Sequence, residues 1–345
     1  MENKRYLICG FGNIAQRHFR NLKILQPECK IDVCTQKKKS YRIFNNNLDI
    51  RNTDNLFKEY DIEKLYHNYS IGLDSHKYDA VIICSLPPER VNIAIDVAEK
   101  GYNLFIEKPL SINMDRIPQL VGMVNENNVK CAIGYQMRFH PVLQKVKKLI
   151  KDKFFGTIYR VEVTHGNSLN NWTKGRDLKK DFYALDPEKG GGVVFSQIHE
   201  VDYIQWLFDT KMYTYLVLNN KIKYKVDDNV SILGFLYYNS GKFQVEETII
   251  NLNLDFLSPT PVRKLKILGT KKSIDVDIIN GSIWYIEGEY SKSYEISWNN
   301  LFLNEMSAFL DSLEKRPNEY LANINDGILS LETALNINKL SLTGG

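Results

Sequence analysis

No apolar run in this 345-residue chain approaches the length a membrane-crossing helix requires, so a helical span is excluded. Cysteine is scarce. The five residues Cys9, Cys29, Cys34, Cys84 and Cys131 form no C-x-x-C pair, and four of them lie inside apolar runs. That pattern argues against a disulfide scaffold and reads as buried free thiols of a reducing compartment. No cluster of His, Cys and Asp has ligand spacing, so no metal is expected. An excess of one charge is also missing: 45 Lys+Arg face 41 Asp+Glu, a net +4, and the only tight basic run is Lys37-Lys38-Lys39. A nucleic-acid partner has no electrostatic support. Met1-Glu2-Asn3-Lys4-Arg5 runs straight into a short strand without the apolar core of a signal peptide, so a cytoplasmic protein is expected.

What the chain does have is enough apolar material for two cores, with 43% hydrophobic residues over a length beyond one typical domain. Its first third alternates short apolar strands (Tyr6–Cys9, Ile31–Cys34, Ala80–Cys84, Asn103–Ile106, Lys130–Ile133) with helical stretches (Ile14–Leu25, Val91–Lys100). Strands apolar on both faces and separated by helices predict a parallel sheet covered on both sides. The segment from Gln36 to Tyr78 is long for a crossover, and a helix is expected near Leu56–Tyr66. After His140 a helix over Pro141–Lys151 leads into longer alternating strands: Thr157–His165, Tyr213–Asn219, Val230–Tyr238, Lys242–Asn251, Lys264–Leu268 and Ser273–Ile278. A hairpin is expected around Asn239-Ser240-Gly241. Helices over Leu301–Leu313 and Asn325–Leu340 close the chain. The predicted architecture is α/β plus α+β. A doubly wound Rossmann-type domain over 1–136 precedes a domain over 137–345 built on a mainly antiparallel open sheet, whose last helices can pack back on the first domain. The active site is expected between the two.

Strand, then Gly10-Phe11-Gly12-Asn13-Ile14-Ala15, then helix is the order that a dinucleotide pyrophosphate needs. The first glycine permits the tight turn, the second lets backbone approach the phosphates, and the small third residue packs helix on strand. The helix N-terminus offers free N–H groups to the anion, which makes Gly10, Gly12, Asn13 and Ile14 candidate cofactor contacts. An acidic residue after the second strand would hold the ribose hydroxyls. The strand instead ends at Thr35-Gln36, followed by Lys37-Lys38-Lys39. With no carboxylate to repel a 2′-phosphate, Gln36 and Lys37 favour NADP over NAD. The alternative is a solvated lysine loop.

Further along stand Cys84-Ser85-Leu86-Pro87-Pro88, Glu107-Lys108-Pro109-Leu110-Ser111, Gly134 to Pro141, Gly190 to Asp202, Trp206-Leu207-Phe208 and Asp326-Gly327. In this order and spacing, together with the glycine turn and Arg17-His18, the chain resembles the glucose-fructose oxidoreductase / inositol dehydrogenase (Gfo/Idh/MocA) family of NAD(P)-dependent sugar oxidoreductases, nearly end to end. The resemblance implies cofactor contacts from Ser85, Leu86, Pro87, Glu107 and Lys108. It also assigns Lys108 the proton of the substrate hydroxyl, with Glu107 tuning or orienting it. Oxidising a secondary alcohol removes a hydride from carbon and a proton from oxygen. A partly desolvated lysine beside a cationic nicotinamide can have its pKa drawn toward the working range.

His199 follows Ser196 by one helical turn, so both side chains are expected to face one cleft, with His199 as acid/base or substrate anchor. Ser196 occupies the place of the family's usual aspartate. A serine can hydrogen-bond a sugar hydroxyl but is no base at neutral pH, and helix capping or plain packing stays open for it. Asp202 either orients His199 or pairs with a buried base. Trp172 and Arg176 lie in a polar loop that, by the same resemblance, suits a sugar face and an anionic group or covers the dinucleotide. Arg138 is a candidate substrate or cofactor contact, and His140 a helix-start residue. Arg17 and His18 either face the surroundings of the pyrophosphate helix or simply pack. The expected activity is hydride transfer between NAD(P) and a ring alcohol or ketone of a sugar or nucleotide sugar. A non-catalytic NAD(P)-binding regulator and a cofactor-recycling lyase or glycosidase are the rivals. A homodimer or homotetramer is expected, because an open sheet needs its outer face covered.

Overall fold

The structure, a computed structural model, describes residues 3–38, 41–44, 50–173, 182–241, 244–286 and 291–343. It divides into two compact units, Met1–Gln136 with Asn299–Gly327, and Met137–Trp298 with Ile328–Gly345.

The first unit is built on strands β1 (Arg5–Cys9), β2 (Lys30–Cys34), β3 (Tyr41–Phe44), β4 (Ile50–Thr53), β5 (Leu65–Tyr66), β6 (Ala80–Ile83), β7 (Asn103–Glu107) and β8 (Cys131–Gly134). Its helices are α1 (Asn13–Leu25), α2 (Tyr69–Ser75), α3 (Pro87–Glu99) and α4 (Ile117–Glu126). Six strands form one sheet in the order β5-β2-β1-β6-β7-β8, and every pairing is parallel. Leu7, Ile8, Ile82, Ile83, Phe105 and Ile106 are fully buried, which is why these strands read as continuous apolar runs. Helix α1 turns Ala15, Phe19 and Leu22 inward at i, i+4 and i+7. Pro87 opens α3 at a position where no N–H is needed.

The helix expected near Leu56–Tyr66 is absent. A single 3-10 turn, Leu56–Lys58, is capped by Asn55, whose side chain accepts from the Phe57 N–H at 3.0 Å. The backbone of 63–66 is then taken up by the edge of β2, through Glu63 N to Ile31 O and Thr35 N to Tyr66 O, both 2.9 Å. Leu56, Tyr60 and Ile62 are buried together, a spacing no single helix face provides. The polar stretch before them holds the β3–β4 antiparallel ladder.

The second unit begins with α5 (Pro141–Lys151) and β9 (Ile158–Gly166), followed by α6 (Leu169–Thr173), α7 (Val193–Ser196) and α8 (His199–Phe208). Strands β10 (Met212–Asn220), β11 (Asn229–Gly241), β12 (Gln244–Asp255), β13 (Val262–Gly269), β14 (Ser273–Asp277), β15 (Ser282–Tyr285) and β16 (Ser291–Ser293) follow. The eight-stranded sheet has the order β10-β11-β12-β9-β13-β14-β15-β16. Among the described residues of this sheet only the β12–β9 pairing is parallel. One face carries the core: Ile232, Leu252, Val163, Leu265, Val276 and Ile283 form a buried row across the sheet. Strands β11 and β12 pair antiparallel, with Asn239–Gly241 in β11 and β12 starting at Gln244; residues 242–243 lie outside the described residues. Helices α9 (Trp298–Leu313) and α10 (Ile324–Thr343) end the chain. Met306, Phe309 and Leu310 of α9 belong to the core of the first unit.

Cys9, Cys29 and Cys34 are buried free thiols, while Cys84 and Cys131 are half-buried. Among the described residues no helix is long and apolar enough to cross a membrane, and no group of three or more His, Cys, Asp or Glu is placed to hold a metal ion.

Candidate active site

Three turns of the first unit leave the parallel sheet at the same edge. Cys9 pairs with Ile83, and Ile83 with Ile106, so Gly10, Cys84-Ser85 and Glu107-Lys108 emerge side by side at the carboxyl ends of their strands. Ligands collect at that edge in open α/β sheets.

Gly10 has φ +87°, and a Cβ there would lie 2.8 Å from the Cys84 and Ser85 backbone. Both the left-handed conformation and the close strand approach demand glycine. Gly12 is the N-cap of α1, and a Cβ on it would meet no protein atom within 4 Å. No side chain caps this helix, which leaves its first N–H groups without a side-chain acceptor. Asn13 Oδ1 and Ser85 Oγ are buried beside these turns with no hydrogen-bond partner among the described residues. Leu86, the N-cap of α3, is exposed. An uncapped helix start, a glycine cradle and two orphaned buried oxygens fit a dinucleotide. Past the end of β2, Gln36 and Lys37 are exposed, and Thr35 O is bonded by His67 Nδ1 at 2.8 Å. Lys39 and Ser40 lie outside the described residues.

Lys108 follows β7 and is half-buried. Beneath it Glu107, buried, accepts from His18 Nε2 at 2.7 Å on one oxygen and from the Lys108 backbone N–H at 3.2 Å on the other. A Cβ on Gly134 would sit 3.1 Å from that carboxyl group, so the glycine leaves room for it. Burial pushes the Glu107 pKa up, but the His18 hydrogen bond and the charges of His18, Arg90 and Lys108 outweigh it and hold the carboxyl below its ordinary value. His18 is therefore part of the Glu107-Lys108 turn, with its ring 5.0 Å from that of Phe105. Arg17 lies over the Phe302 ring at 4.6 Å. Arg90, which the sequence reading passed over, donates to the carbonyls of Ser85, Glu107 and Pro109. A lone arginine just ahead of the predicted Val91–Lys100 helix gave no signal of this.

In the second unit Gly190 (φ +79°) and Gly192 (φ +105°) bracket Gly191, whose Cβ would meet the Asp186 backbone at 2.6 Å. The chain then forms the short α7, ending at Ser196, and restarts as α8 at His199. Ser196 and His199 are thus not on one continuous helix. Gln197 leaves helical geometry (φ −103°, ψ 28°) and its side chain donates to Asp255 O at 2.9 Å. Both Ser196 and His199 are buried.

The start of α8 is fixed by two buried ion pairs. Arg138 grips Asp202 with both arms, Nε to Oδ2 at 3.0 Å and Nη2 to Oδ1 at 2.6 Å. Asp202 is therefore committed to a buried base, and Arg138 is committed with it. Glu200, beside His199, accepts from Arg263 Nε at 2.6 Å, and His165 Nδ1 lies 3.1 Å from its other oxygen. Burial raises the Glu200 pKa, but Arg263 and His165 more than reverse this and hold it at about 2. His140 caps α5, its Nδ1 accepting from Val142 N at 3.3 Å. Burial, then the nearby Arg263 charge, pull its pKa down to about 4. Trp172 lies in the backbone of α6, but its side chain and the whole of Arg176 lie outside the described residues.

A doubly wound parallel sheet with a glycine turn at its first strand end, followed by an α+β unit on an open sheet, defines a two-unit protein of the dinucleotide-binding class. The family model for the oxidoreductase family with an NAD-binding Rossmann fold matches residues 4–135, and that for the GFO/IDH/MocA C-terminal domain matches 143–275. The chain belongs to the GFO/IDH/MocA oxidoreductase family. It is similar to the uncharacterized oxidoreductase YrbE of Bacillus subtilis (strain 168), 22% identical over 209 residues, 59% of this chain and 54% of that protein. It is also similar to the scyllo-inositol 2-dehydrogenase (NAD(+)) of the same organism, 24% identical over 242 residues, 69% of this chain and 64% of that enzyme. The matched stretches thus span less than two thirds of either relative. In fold it resembles the WlbA dehydrogenase from Bordetella pertussis in complex with NADH and UDP-GlcNAcA, with a TM-score of 0.75, 18% identity, and coverage of 100% of this chain and 98% of that one.

Proposed function

We propose that the chain transfers a hydride reversibly between a nicotinamide dinucleotide and a secondary alcohol or ketone of a sugar or sugar derivative, nucleotide-linked sugars included. The observation that carries this reading is the shared edge at which the Gly10, Ser85 and Lys108 turns emerge. Gly10, Gly12, Asn13 and Ile14 would hold the pyrophosphate at the start of α1, with Ser85, Leu86 and Pro87 beside it. The bound dinucleotide supplies the hydride acceptor or donor. Lys108 handles the proton of the substrate oxygen through its side-chain nitrogen, and the buried His18–Glu107 pair orients the turn that carries it. His199 serves as a second acid/base or an anchor for a hydroxyl, and Ser196 as a hydrogen-bond partner of the sugar. The same role is proposed for Trp172 and Arg176. Arg138 holds Asp202 and with it the helix that begins at His199.

Gln36 and Lys37, exposed with no carboxylate between Thr35 and Lys38, favour NADP over NAD. The relatives whose names print a cofactor carry NAD(+) or NADH, so the two cofactors are tested side by side. The test follows reduced-nicotinamide absorbance with inositols and UDP-sugars as candidate substrates, together with calorimetric binding of NAD+ and NADP+. Turnover with a cyclic polyol or UDP-sugar supports the reading. Tight dinucleotide binding with no turnover across both classes contradicts it. Lys37→Glu is expected to weaken NADP+ binding more than NAD+ binding.

The outer face of the eight-stranded sheet carries Tyr213, Tyr215, Leu218, Tyr237 and Ile249, all substantially exposed. We infer that a second copy of the chain covers it, giving a homodimer or homotetramer.

A further inference from the structure

Arg90 is the fourth residue of α3, and its guanidinium is buried. A buried cation is costly unless its donors are satisfied, and here they are satisfied by main-chain carbonyls from two separate turns. Nε donates to Ser85 O at 2.9 Å, while Nη1 donates to Glu107 O at 2.8 Å and to Pro109 O at 2.6 Å. The last two carbonyls flank Lys108 in the chain. The Lys108 N–H itself is held by the Glu107 carboxylate, which His18 holds in turn. The backbone on both sides of Lys108 is therefore tied to the turn after β6 through one side chain.

We propose that Arg90 is a positioning residue for the reaction: it clamps the Glu107–Pro109 turn to the Ser85 turn and so sets the Lys108 amine against the dinucleotide. This rests on the assignment of the proton step to Lys108. The planar fork holds Nε and Nη1 at a fixed separation, so it spans from the Ser85 carbonyl to those of Glu107 and Pro109, whereas an ammonium offers its three donors from a single point. A lysine at position 90 keeps the charge but loses the span.

The test uses Arg90→Met and Arg90→Lys in the full chain, alone and combined with Lys108→Ala. The first readout needs no turnover. Lysines are reductively 13C-methylated, and the Lys108 signal is assigned by its loss in Lys108→Arg. A displaced Lys108 signal with an altered titration midpoint, in a protein whose other lysine signals stay in place, is the expected result for both Arg90 variants. The second readout is kinetic. Arg90→Met is expected to lower kcat by about tenfold to a hundredfold with dinucleotide Kd nearly unchanged, and to lower it no further once Lys108 is alanine. Arg90→Lys is expected to fall in between, and it carries the test if Arg90→Met does not fold. An unmoved Lys108 signal in a folded variant, or kinetic losses that multiply in the double variant, would overturn the proposal. If wild type turns over neither inositols nor UDP-sugars, the oxidoreductase reading fails by itself, and the lysine signal still decides whether Arg90 sets Lys108.

Discussion

Gly10 combines a left-handed backbone with a neighbouring strand standing where a side chain would go. Gly10→Ala should therefore cost about 2 kcal/mol or more in urea unfolding and weaken dinucleotide binding; wild-type stability would contradict the assigned backbone role. Lys108→Ala is expected to lower kcat/KM by about 10²–10⁴ at saturating dinucleotide, and calorimetry separates that chemical loss from the loss of its own contact to the cofactor. His140 makes a prediction in pH. Its folded pKa is about 4 against an ordinary 6.5. Between these values the unfolded chain binds the extra proton, so stability falls as pH drops from about 6.5 to 4, by at most about 3 kcal/mol from this residue. His140→Asn keeps a capping acceptor, an amide oxygen in place of the ring nitrogen, and removes the titration, so its denaturation midpoint should vary less over that window. An unchanged pH slope would rule His140 out as the cause.

At the level of elements, α8 is held at its first turn by Arg138–Asp202 and Arg263–Glu200, both buried. Removing one partner leaves a charge without compensation, so Arg138→Met should destabilise by about 3–5 kcal/mol, and Arg138→Met with Asp202→Leu should recover much of that loss. Equal losses in the single and double variants would show that the pair itself matters less than the packing. These pairs also mark what the sequence could tell. The β1 turn, the apolar strands of the parallel sheet and the alternating strands of the second unit were readable because burial on two faces or one imposes its own period. The stretch from Leu56 to Tyr66 was not, because a sheet edge captured its backbone and overrode local preference. Helix α4 was missed although Pro118 stands in its first turn, a position that suits proline, and the break at Gln197 was hidden because Ser196 and His199 still sit at a helical spacing. Glu107-Lys108 and His199 were legible as motifs. Arg90, Glu200 and Arg263 were not, since a buried charge far away in sequence leaves no spacing to find.

Across the whole molecule, the open sheet face and the dinucleotide edge are separate claims. Tyr213, Phe235 and Ile249 share one cross-strand row, and the Tyr213 and Tyr237 rings lie 5.4 Å apart. Tyr215→Lys with Ile249→Glu should lower the assembly size seen by light scattering without unfolding the chain. An unchanged assembly would place the interface elsewhere. The central claim is net hydride transfer, and the most direct test is stoichiometric. Protein, NAD(P)+ and the best cyclic polyol or UDP-sugar are incubated together, and reduced nicotinamide is measured by absorbance alongside ketone by mass spectrometry. The account predicts that the two accumulate one for one and that both vanish in Lys108→Ala. Product formed without accumulating reduced nicotinamide, or neither species formed by a protein that binds the dinucleotide, would contradict it.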